Sequence, residues 1–225
     1  MTEFLQKLDE RIQEKHLLTH PFYQAWTQGQ LDKECLRDYA KEYYHHVRAF
    51  PTYLSTLHAH TEDMATRKEI LKNLIEEEAG EPNHPDLWRS FALSLGATNQ
   101  EIDEHCPSPE IQHLISTFRS ICATESVSEG LAALYAYESQ IPAICISKID
   151  GLKKHYGMQE PSSWKYFTVH IGADEEHARV ERALLHKHIN ADQESSVLRA
   201  VDRVLDSLWA FLSSLVERHH IICAS

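Results

Sequence analysis

The fold class follows from the segment Glu194-Ser-Ser-Val-Leu-Arg-Ala-Val-Asp-Arg-Val-Leu-Asp-Ser-Leu-Trp-Ala-Phe-Leu-Ser-Ser-Leu-Val-Glu-Arg-His-His220. Its apolar residues form one stripe, made of Leu198, Val201, Leu205, Leu208, Leu212 and Leu215. This spacing is typical of a helix with one face on a core. Similar helical patterns cover residues 3–15, 20–28, 31–59, 62–79, 84–95, 108–123, 127–150 and 162–188. Because no strand pattern, repeat or linker is found, the sequence predicts a single all-α domain of seven to nine helices over residues 1–225.

Glycine and capping residues predict where these helices end and begin. Four glycines follow apolar-periodic stretches: Gly29, Gly80, Gly96 and Gly151. Helices commonly end at a glycine in the left-handed conformation, so we expect helix ends at these positions. Ser126 and Glu129 have the spacing of a capping box, which predicts a helix that begins near residue 127.

The composition excludes several kinds of partner and site. The formal net charge of -12 repels phosphate backbones, so we expect no nucleic-acid partner. There is no run of about eighteen apolar residues and no apolar signal core, so we expect neither a membrane span nor secretion. The cysteines are odd in number and form no Cys-x-x-Cys pair: Cys35, Cys106, Cys122, Cys145 and Cys223. This pattern disfavours a disulfide framework or a zinc ribbon and predicts a cytoplasmic protein with reduced thiols.

The sixteen histidines are the unusual feature, because an ordinary chain of this length has roughly five. Three ligand-type residues fall in the segment His170-Ile-Gly-Ala-Asp-Glu-Glu-His177. At about 100° per residue, Asp174 lies roughly 40° from His170 and His177 roughly 20° on the other side, so all three share one helix stripe. Such a stripe can bind a metal, although a solvated acidic helix face carries similar triplets. Glu181, one turn further on, competes for the same role.

Two other segments offer ligands for the same site. Glu77 lies near the end of one predicted helix, and His84 lies at the start of the next. Glu138 follows a strongly apolar stretch, so we expect its carboxyl group inside the bundle, where a charge needs a partner. Pro142 has no N–H to give to the carbonyl of Glu138, so the helix should open or kink there. The alternatives are a solvated acidic helix end at Glu77 and a purely structural kink at Pro142.

In chain order these residues form the pattern Glu77-x6-His84, Glu138, His170-x3-Asp174-x2-His177, which resembles the haem-oxygenase-like dimetal oxidases. Within that family the chain is most similar to the CADD-like p-aminobenzoate synthases. The resemblance covers almost the whole chain and is carried by His20-Pro-Phe-Tyr-Gln-Ala-Trp26, Tyr39-Ala-Lys-Glu-Tyr-Tyr44, Ala49-Phe-Pro-Thr-Tyr-Leu54, Pro82-Asn-His-Pro-Asp-Leu-Trp88, Ala132-Ala-Leu-Tyr-Ala-Tyr-Glu-Ser-Gln-Ile-Pro142 and the His170 segment. It implies a haem-oxygenase-like (PqqC-like) helical bundle that binds two metal ions, Fe and/or Mn, through these six side chains.

The resemblance also implies an unusual activity, the synthesis of p-aminobenzoate for folate biosynthesis from the protein's own side chains. Tyr23 matches the tyrosine that supplies the ring, and Lys148 matches the lysine that supplies the amino group. Tyr39 is implied as a radical relay or an alternative ring donor. Dioxygen and an external reductant are the expected co-substrates, and a homodimer is the expected assembly. Residues 216–225 lack a cysteine-rich ending associated with this group, so death-domain binding is not expected.

Other interpretations stay open at the level of sequence. A dimetal oxygenase that acts on a separate small molecule would use the same six ligands. A PqqC-like or TenA-like enzyme would act on a small ring compound without metals, and a non-enzymatic binding protein would need no metal either. Tyr23 lies between Phe22 and Trp26, where an aromatic residue is usually part of a core, and a lysine such as Lys148 is usually solvated.

Overall fold

The structure is a computed structural model that describes residues 2–221, and Cys223 lies outside this range. Within these residues all regular secondary structure is helical, which confirms the predicted all-α class. Eleven α-helices follow one another in residues 2–221: α1 (Thr2–Glu14), α2 (Pro21–Thr27), α3 (Lys33–His60), α4 (Met64–Glu78), α5 (His84–Ser94), α6 (Asn99–Asp103), α7 (Pro109–Thr124), α8 (Val127–Glu138), α9 (Ile141–His155), α10 (Lys165–His188) and α11 (Glu194–Arg218). Among the described residues, no helix combines the length and the apolar character needed to cross a membrane.

Each of the nine predicted helical segments is present, and residues 2–221 contain two helices more than predicted. One is the short α6, whose capping box at Thr98 and Glu101 is formed. The other arises because the segment predicted as one helix over residues 127–150 is divided at Ser139 and Gln140 into α8 and α9.

Two residues, Pro142 and Gln140, explain the break between α8 and α9. Pro142 lies in the first turn of α9, so the predicted opening of the helix occurs beside Glu138. The Gln140 side chain bonds one backbone group at the break and one in the distant segment that contains Leu17. Its Nε2 donates to the carbonyl of Ala136 at 2.6 Å, and its Oε1 accepts the N–H of Leu17 at 2.8 Å. The break therefore leaves Glu138 at the end of a helix in the protein interior.

The glycine positions predict helix ends only in part. Gly29 and Gly96 follow α2 and α5 with φ of +68° and +89°, as expected for left-handed terminal residues. Gly80 follows α4 without a positive φ. Gly151 lies inside α9, so the helix end predicted there is wrong. A Cβ atom at Gly151 would lie 2.6 Å from Trp26 Cδ1, so this glycine serves the close packing of α9 on α2.

The helices share one connected hydrophobic core. α11 buries the predicted apolar stripe except for Leu198, which is partly buried. α3 packs against α4, α5 and α7, and α10 packs against α8 and α9. Trp26, Trp88 and Tyr39 are among the largest fully buried side chains, so aromatic rings fill much of the interior.

α4 differs from an ordinary surface helix because its inner face is mostly polar. Thr66, Asn73 and Glu77 are buried, whereas Leu71 and Ile75 are 40% and 52% exposed. An amphipathic surface helix shows the reverse arrangement. Buried polar groups cost free energy unless they find partners. The polar inner face of α4 therefore indicates a functional role for these side chains and not a packing role.

Two glycine variants test the packing of α9 on α2. Gly151→Ala should lower the melting temperature, because the added methyl group meets Trp26 at 2.6 Å from Cδ1 and 3.2 Å from the backbone oxygen. Gly172→Ala is the matched control, because a Cβ atom there meets nothing within 4 Å. Alanine is about 1 kcal/mol better than glycine in a helix, so this control should melt about 2–4 °C higher. Thermal unfolding followed by circular dichroism measures both, and equal gains in the two variants would contradict the packing argument.

Candidate active site

α10 places the three ligand-type residues predicted from spacing on one buried face. His170, Asp174 and His177 are buried, whereas their neighbours Glu175 and Glu176 are exposed. The arrangement follows from helix geometry, because residues three and four apart lie on the same face. The alternative of a solvated acidic face is therefore wrong for these three residues.

The first group of candidate ligands consists of Glu77, His84 and His170, whose ligand atoms lie within 4.8 Å of one another. His84 Nδ1 is 2.9 Å from Glu77 Oε2, and the ring centroids of His84 and His170 are 4.2 Å apart. His170 Nδ1 donates to the carbonyl of Tyr166 at 2.8 Å. This hydrogen bond leaves the lone pair of His170 Nε2 available to a metal ion.

The second group consists of Glu138, Asp174 and His177, whose ligand atoms also lie within 4.8 Å of one another. His177 Nδ1 is 3.0 Å from Glu138 Oε1 and 3.5 Å from Asp174 Oδ1. Asn73 donates to Glu138 Oε1 at 2.9 Å, and Glu76 Oε2 lies 2.9 Å from the other ring nitrogen of His177. The six side chains predicted as ligands thus come together as two groups of three.

The donor atoms in these groups fit a pair of metal ions. A small cavity of about 10 Å³ is lined in part by Glu77, His170 and Asp174, so it touches both groups. Glu138 Oε2 and Asp174 Oδ2 are buried without a hydrogen-bond partner. Buried acceptors that converge without donors are satisfied by a cation. Carboxylate oxygen combined with imidazole nitrogen suits Fe and Mn, so the residues fit the implied metals.

The ionisation of the site reflects an excess of buried negative charge. Burial raises the pKa of Asp174 well above its ordinary value, and the carboxylate of Glu138 raises it further. Burial alone would lower the pKa of His177, but these two carboxylates outweigh it and raise that pKa to about 11. Burial, aided by His84, lowers the pKa of His170 well below 6.5, so its ring is neutral at physiological pH. In the absence of metal, a protonated His177 therefore offsets part of the carboxylate charge.

Glu181, the competing ligand, is buried on the same helix but belongs to neither group of three among the described residues. Burial and the carboxylate of Glu138 raise its pKa well above the ordinary value. Sequence reasoning missed Asn73 and Glu76. Asn73 lies four residues before Glu77 on α4, and this spacing was the signal that could have placed it at the site.

The three residues implied as reactants lie together in the core, although they come from three helices. Tyr23 lies on α2, Tyr39 on α3 and Lys148 on α9. Lys148 Nζ is 2.6 Å from Tyr39 Oη, which is 3.3 Å from Tyr23 Oη. Lys148 is only 4% exposed, so the alternative of a solvated lysine is wrong. Tyr23 is buried, as expected for an aromatic residue of the core, and its hydroxyl group also contacts that of Tyr39.

Aromatic rings surround the Lys148 amine. Six ring centroids lie 5.0 to 5.8 Å from Nζ, those of Tyr23, Trp26, Tyr39, Tyr43, Trp88 and Phe167. Burial in this aromatic cage lowers the pKa of Lys148 from 10.5 to about 7, although the Cys145 thiol group acts in the opposite direction. The amine is therefore largely neutral just above pH 7 and has a lone pair for nucleophilic attack.

Comparisons with known proteins indicate a redox enzyme with this fold. A family model described as "Iron-containing redox enzyme" matches residues 37–209. A 4-aminobenzoate synthase of Chlamydia pneumoniae is 47% identical and aligns with 96% of this chain and 96% of its own. A 4-aminobenzoate synthase of Nitrosomonas europaea is 46% identical and aligns with 98% of this chain and 94% of its own. A solved domain of unknown function from Shewanella denitrificans, with 19% identity, superimposes with a TM-score of 0.81 over 97% of this chain and 93% of that one. That domain has a haem-oxygenase-like fold, which confirms the predicted fold.

The pH dependence of stability tests whether Lys148 is neutral in the folded protein. Its pKa falls from 10.5 to about 7 on folding, so folding releases a proton between these pH values and wild-type stability rises with pH across this window. Methionine at position 148 has no ionisable group and releases no proton on folding. The free energy by which Lys148→Met is more stable than the wild type should therefore be largest near pH 7 and shrink toward pH 10. Denaturant unfolding of the metal-free proteins measures the difference. Lys154→Met, at an exposed position of the same helix, should show a difference that does not change with pH. The same flat result for Lys148→Met would contradict a neutral buried amine.

Proposed function

The chain belongs to the haem-oxygenase-like family of iron-containing redox enzymes, and on this premise we propose that it is a 4-aminobenzoate synthase that consumes its own side chains. The observation that carries the proposal is the contact of Lys148 with Tyr39, and of Tyr39 with Tyr23, inside a closed aromatic cage. The ring and the nitrogen atom that the product requires already lie together there. The whole of residues 1–225 is proposed to act as one domain.

We propose that each group of three side chains holds one metal ion. Glu77, His84 and His170 would hold the first, and Glu138, Asp174 and His177 would hold the second. When bound, the Fe or Mn pair supplies the chemistry that turns dioxygen, with electrons from an external reductant, into an oxidant strong enough to attack a phenol. Carboxylates of the two groups balance the positive charge of the ions, and the neutral ring of His170 serves as a nitrogen donor.

The proposed reaction conserves the carbon skeleton of a tyrosine side chain. The six ring carbons and Cβ of Tyr23 become the ring and the carboxylate carbon of 4-aminobenzoate, so the Cα–Cβ bond must break. The amino group comes from Nζ of Lys148, which lies 5.3 Å from the centroid of the Tyr23 ring. It replaces the phenolic oxygen, which leaves as water, and the bond between Cε and Nζ must break too. Dioxygen is the oxidant for the cleavage of both side chains and for the conversion of Cβ to a carboxylate. Tyr39 lies next to both reactants and acts as a relay or as an alternative ring donor. The closed cage keeps water away from the oxidised ring.

One observation favours an alternative function. A cavity of about 130 Å³ lies between α4, α8 and α10 and is lined by His177, Asn73 and Glu181 among others. This cavity is the feature that favours an oxygenase with a separate small-molecule substrate. A metal-free enzyme is disfavoured, because it gives no reason for six converging buried donors. The cytoplasmic location and the homodimer stay predictions.

Metal content tests the two ligand groups separately. His170→Ala should remove the ion of the first group because an imidazole donor is lost. Asp174→Asn should remove the ion of the second group because a charged carboxylate is replaced by a neutral, weakly binding amide. Wild-type protein reconstituted with Fe(II) and Mn(II) without oxygen should hold two ions per chain by plasma mass spectrometry. His186→Ala and Glu175→Gln change exposed residues of the same helix and should keep both ions. Full metal content in either ligand variant would refute the assignment of that group.

Isotope labelling tests whether the chain is its own substrate. Protein that carries ring-labelled tyrosine and nitrogen-15 lysine receives Fe(II), Mn(II), a reductant and dioxygen, with no organic substrate. We expect doubly labelled 4-aminobenzoate at no more than one molecule per chain, with a matching change in the mass of the Tyr23 peptide. Tyr23→Phe and Lys148→Arg should abolish the labelled product, whereas Tyr135→Phe and Lys154→Arg should retain it. Intact peptides and no product, despite two bound ions, would favour the oxygenase with an outside substrate.

A further inference from the structure

Trp88 contacts both the aromatic cage and the ring that stacks on a candidate metal ligand. Its ring centroid is 5.8 Å from that of Tyr39 and 4.8 Å from that of Tyr166. Tyr166 in turn stacks on His170, with ring centroids 3.8 Å apart. A row of four rings in successive contact therefore connects the first ligand group with the phenol that touches Lys148.

Trp88 is held rigidly in this row. The side chain is fully buried, and its Nε1 donates to the carbonyl of Ala40 at 2.7 Å, which ties α5 to α3. Its neighbours Phe91 and Phe167 also restrain the ring but are far harder to oxidise than an indole. Because electron transfer slows steeply as rings move apart, a fixed indole in contact with both Tyr39 and Tyr166 suits the passage of electrons.

We propose that Trp88 is the electron relay through which Tyr39 and then Tyr23 are oxidised. The inference rests on the proposed function, which supplies dioxygen as the oxidant at the six-ligand site. One electron leaves the phenol of Tyr39, passes through the indole of Trp88 and across the Tyr166 ring, and reduces that oxidant. The hydroxyl proton of Tyr39 moves to the neutral amine of Lys148 over their 2.6 Å contact.

Tyr23 then restores Tyr39. A hydrogen atom passes from the hydroxyl group of Tyr23 to the oxygen radical of Tyr39, over an oxygen–oxygen distance of 3.3 Å. This transfer regenerates the Tyr39 phenol and leaves the unpaired electron on the ring that is to be cleaved. In total, Tyr23 has lost one electron to the oxidant, and one proton has been gained by Lys148.

An alternative route for the electron that leaves Tyr39 runs through Tyr43 and Tyr137, whose hydroxyl oxygens are 2.7 Å apart. Among the ring contacts of the described residues, those of Tyr137 and Tyr43 reach no candidate ligand, whereas Tyr166 stacks directly on His170. The two hydroxyl groups bond to each other, and burial raises the pKa of both well above the ordinary value. The ring contacts of Trp88 therefore offer the better route for electron transfer from Tyr39 to the first ligand group.

Replacement of Trp88 by Tyr and by Phe separates electron transfer from packing. Both variants lose the indole N–H and keep a six-membered ring, but only the tyrosine is readily oxidised. Both should bind as much Fe and Mn as the wild type. Rapid-freeze-quench EPR after mixing with dioxygen should show tyrosyl radical formation slowed by about tenfold or more in Trp88→Phe, which is a barrier raised by about 1.4 kcal/mol or more. Trp88→Tyr should form the radical faster than Trp88→Phe, because a phenol is much easier to oxidise than a phenyl ring.

Trp209→Phe controls for the lost hydrogen bond. Trp209 Nε1 also donates to a backbone carbonyl, that of Lys15 at 2.7 Å, so its loss should leave the radical rate unchanged. Equal rates in the wild type and Trp88→Phe, or equal slowing in both Trp88 variants, would overturn the relay and leave the proposed function standing. Absence of both radical and 4-aminobenzoate in wild-type protein with two bound ions would refute the proposed function itself.

Discussion

The burial of three carboxyl groups inside a helical core is the constraint on which this structure depends. Glu77, Glu138 and Asp174 are almost entirely shielded from bulk water, and protonated His177 contacts only Glu138 and Asp174. Such groups are costly to bury unless cations or donors balance them. The fold accepts unusual local features to hold them, including the polar inner face of α4 and the break after α8. A pair of divalent cations gives those features a common physical reason.

The aromatic cage differs from the ligand site because it favours the uncharged form of its one ionisable amine, that of a lysine. Lys148 lies among rings and touches one hydroxyl group, so desolvation favours the neutral amine. The ligand groups concentrate negative charge a short distance away, on the other side of Tyr166 and Trp88. The interior thus places the candidate metal ligands on one side of these aromatic rings and the Lys148 amine on the other, as the proposed function requires.

In the proposed function the chain is its own reactant, and its reactive side chains form part of its core. Tyr23, Tyr39 and Lys148 lie on three different helices, so they meet only when the chain is folded. Their burial protects the reaction from water and from outside nucleophiles. The same burial means that a reaction at Tyr23 removes a packed core residue. An ordinary enzyme, by contrast, leaves its own scaffold unchanged.

The sequence by itself determined the all-helical class, the shared face of His170, Asp174 and His177, and the opening of the chain near Pro142. These features could be predicted because helix periodicity and the missing proline N–H act over a few residues. Gly151 shows the limit of this reasoning, since its role depends on the approach of Trp26 from a distant helix. The family resemblance proposed roles for residues that spacing alone left open.

Only the tertiary structure decided how the candidate ligands divide into two groups and that burial lowers the pKa of the Lys148 amine. It also decided that Trp88 contacts both Tyr39 and Tyr166. Each of these facts is a distance or an exposure created when helices far apart in the chain pack together. Local periodicity carries no information about that packing, because it fixes which face a side chain occupies and not which neighbour the face meets.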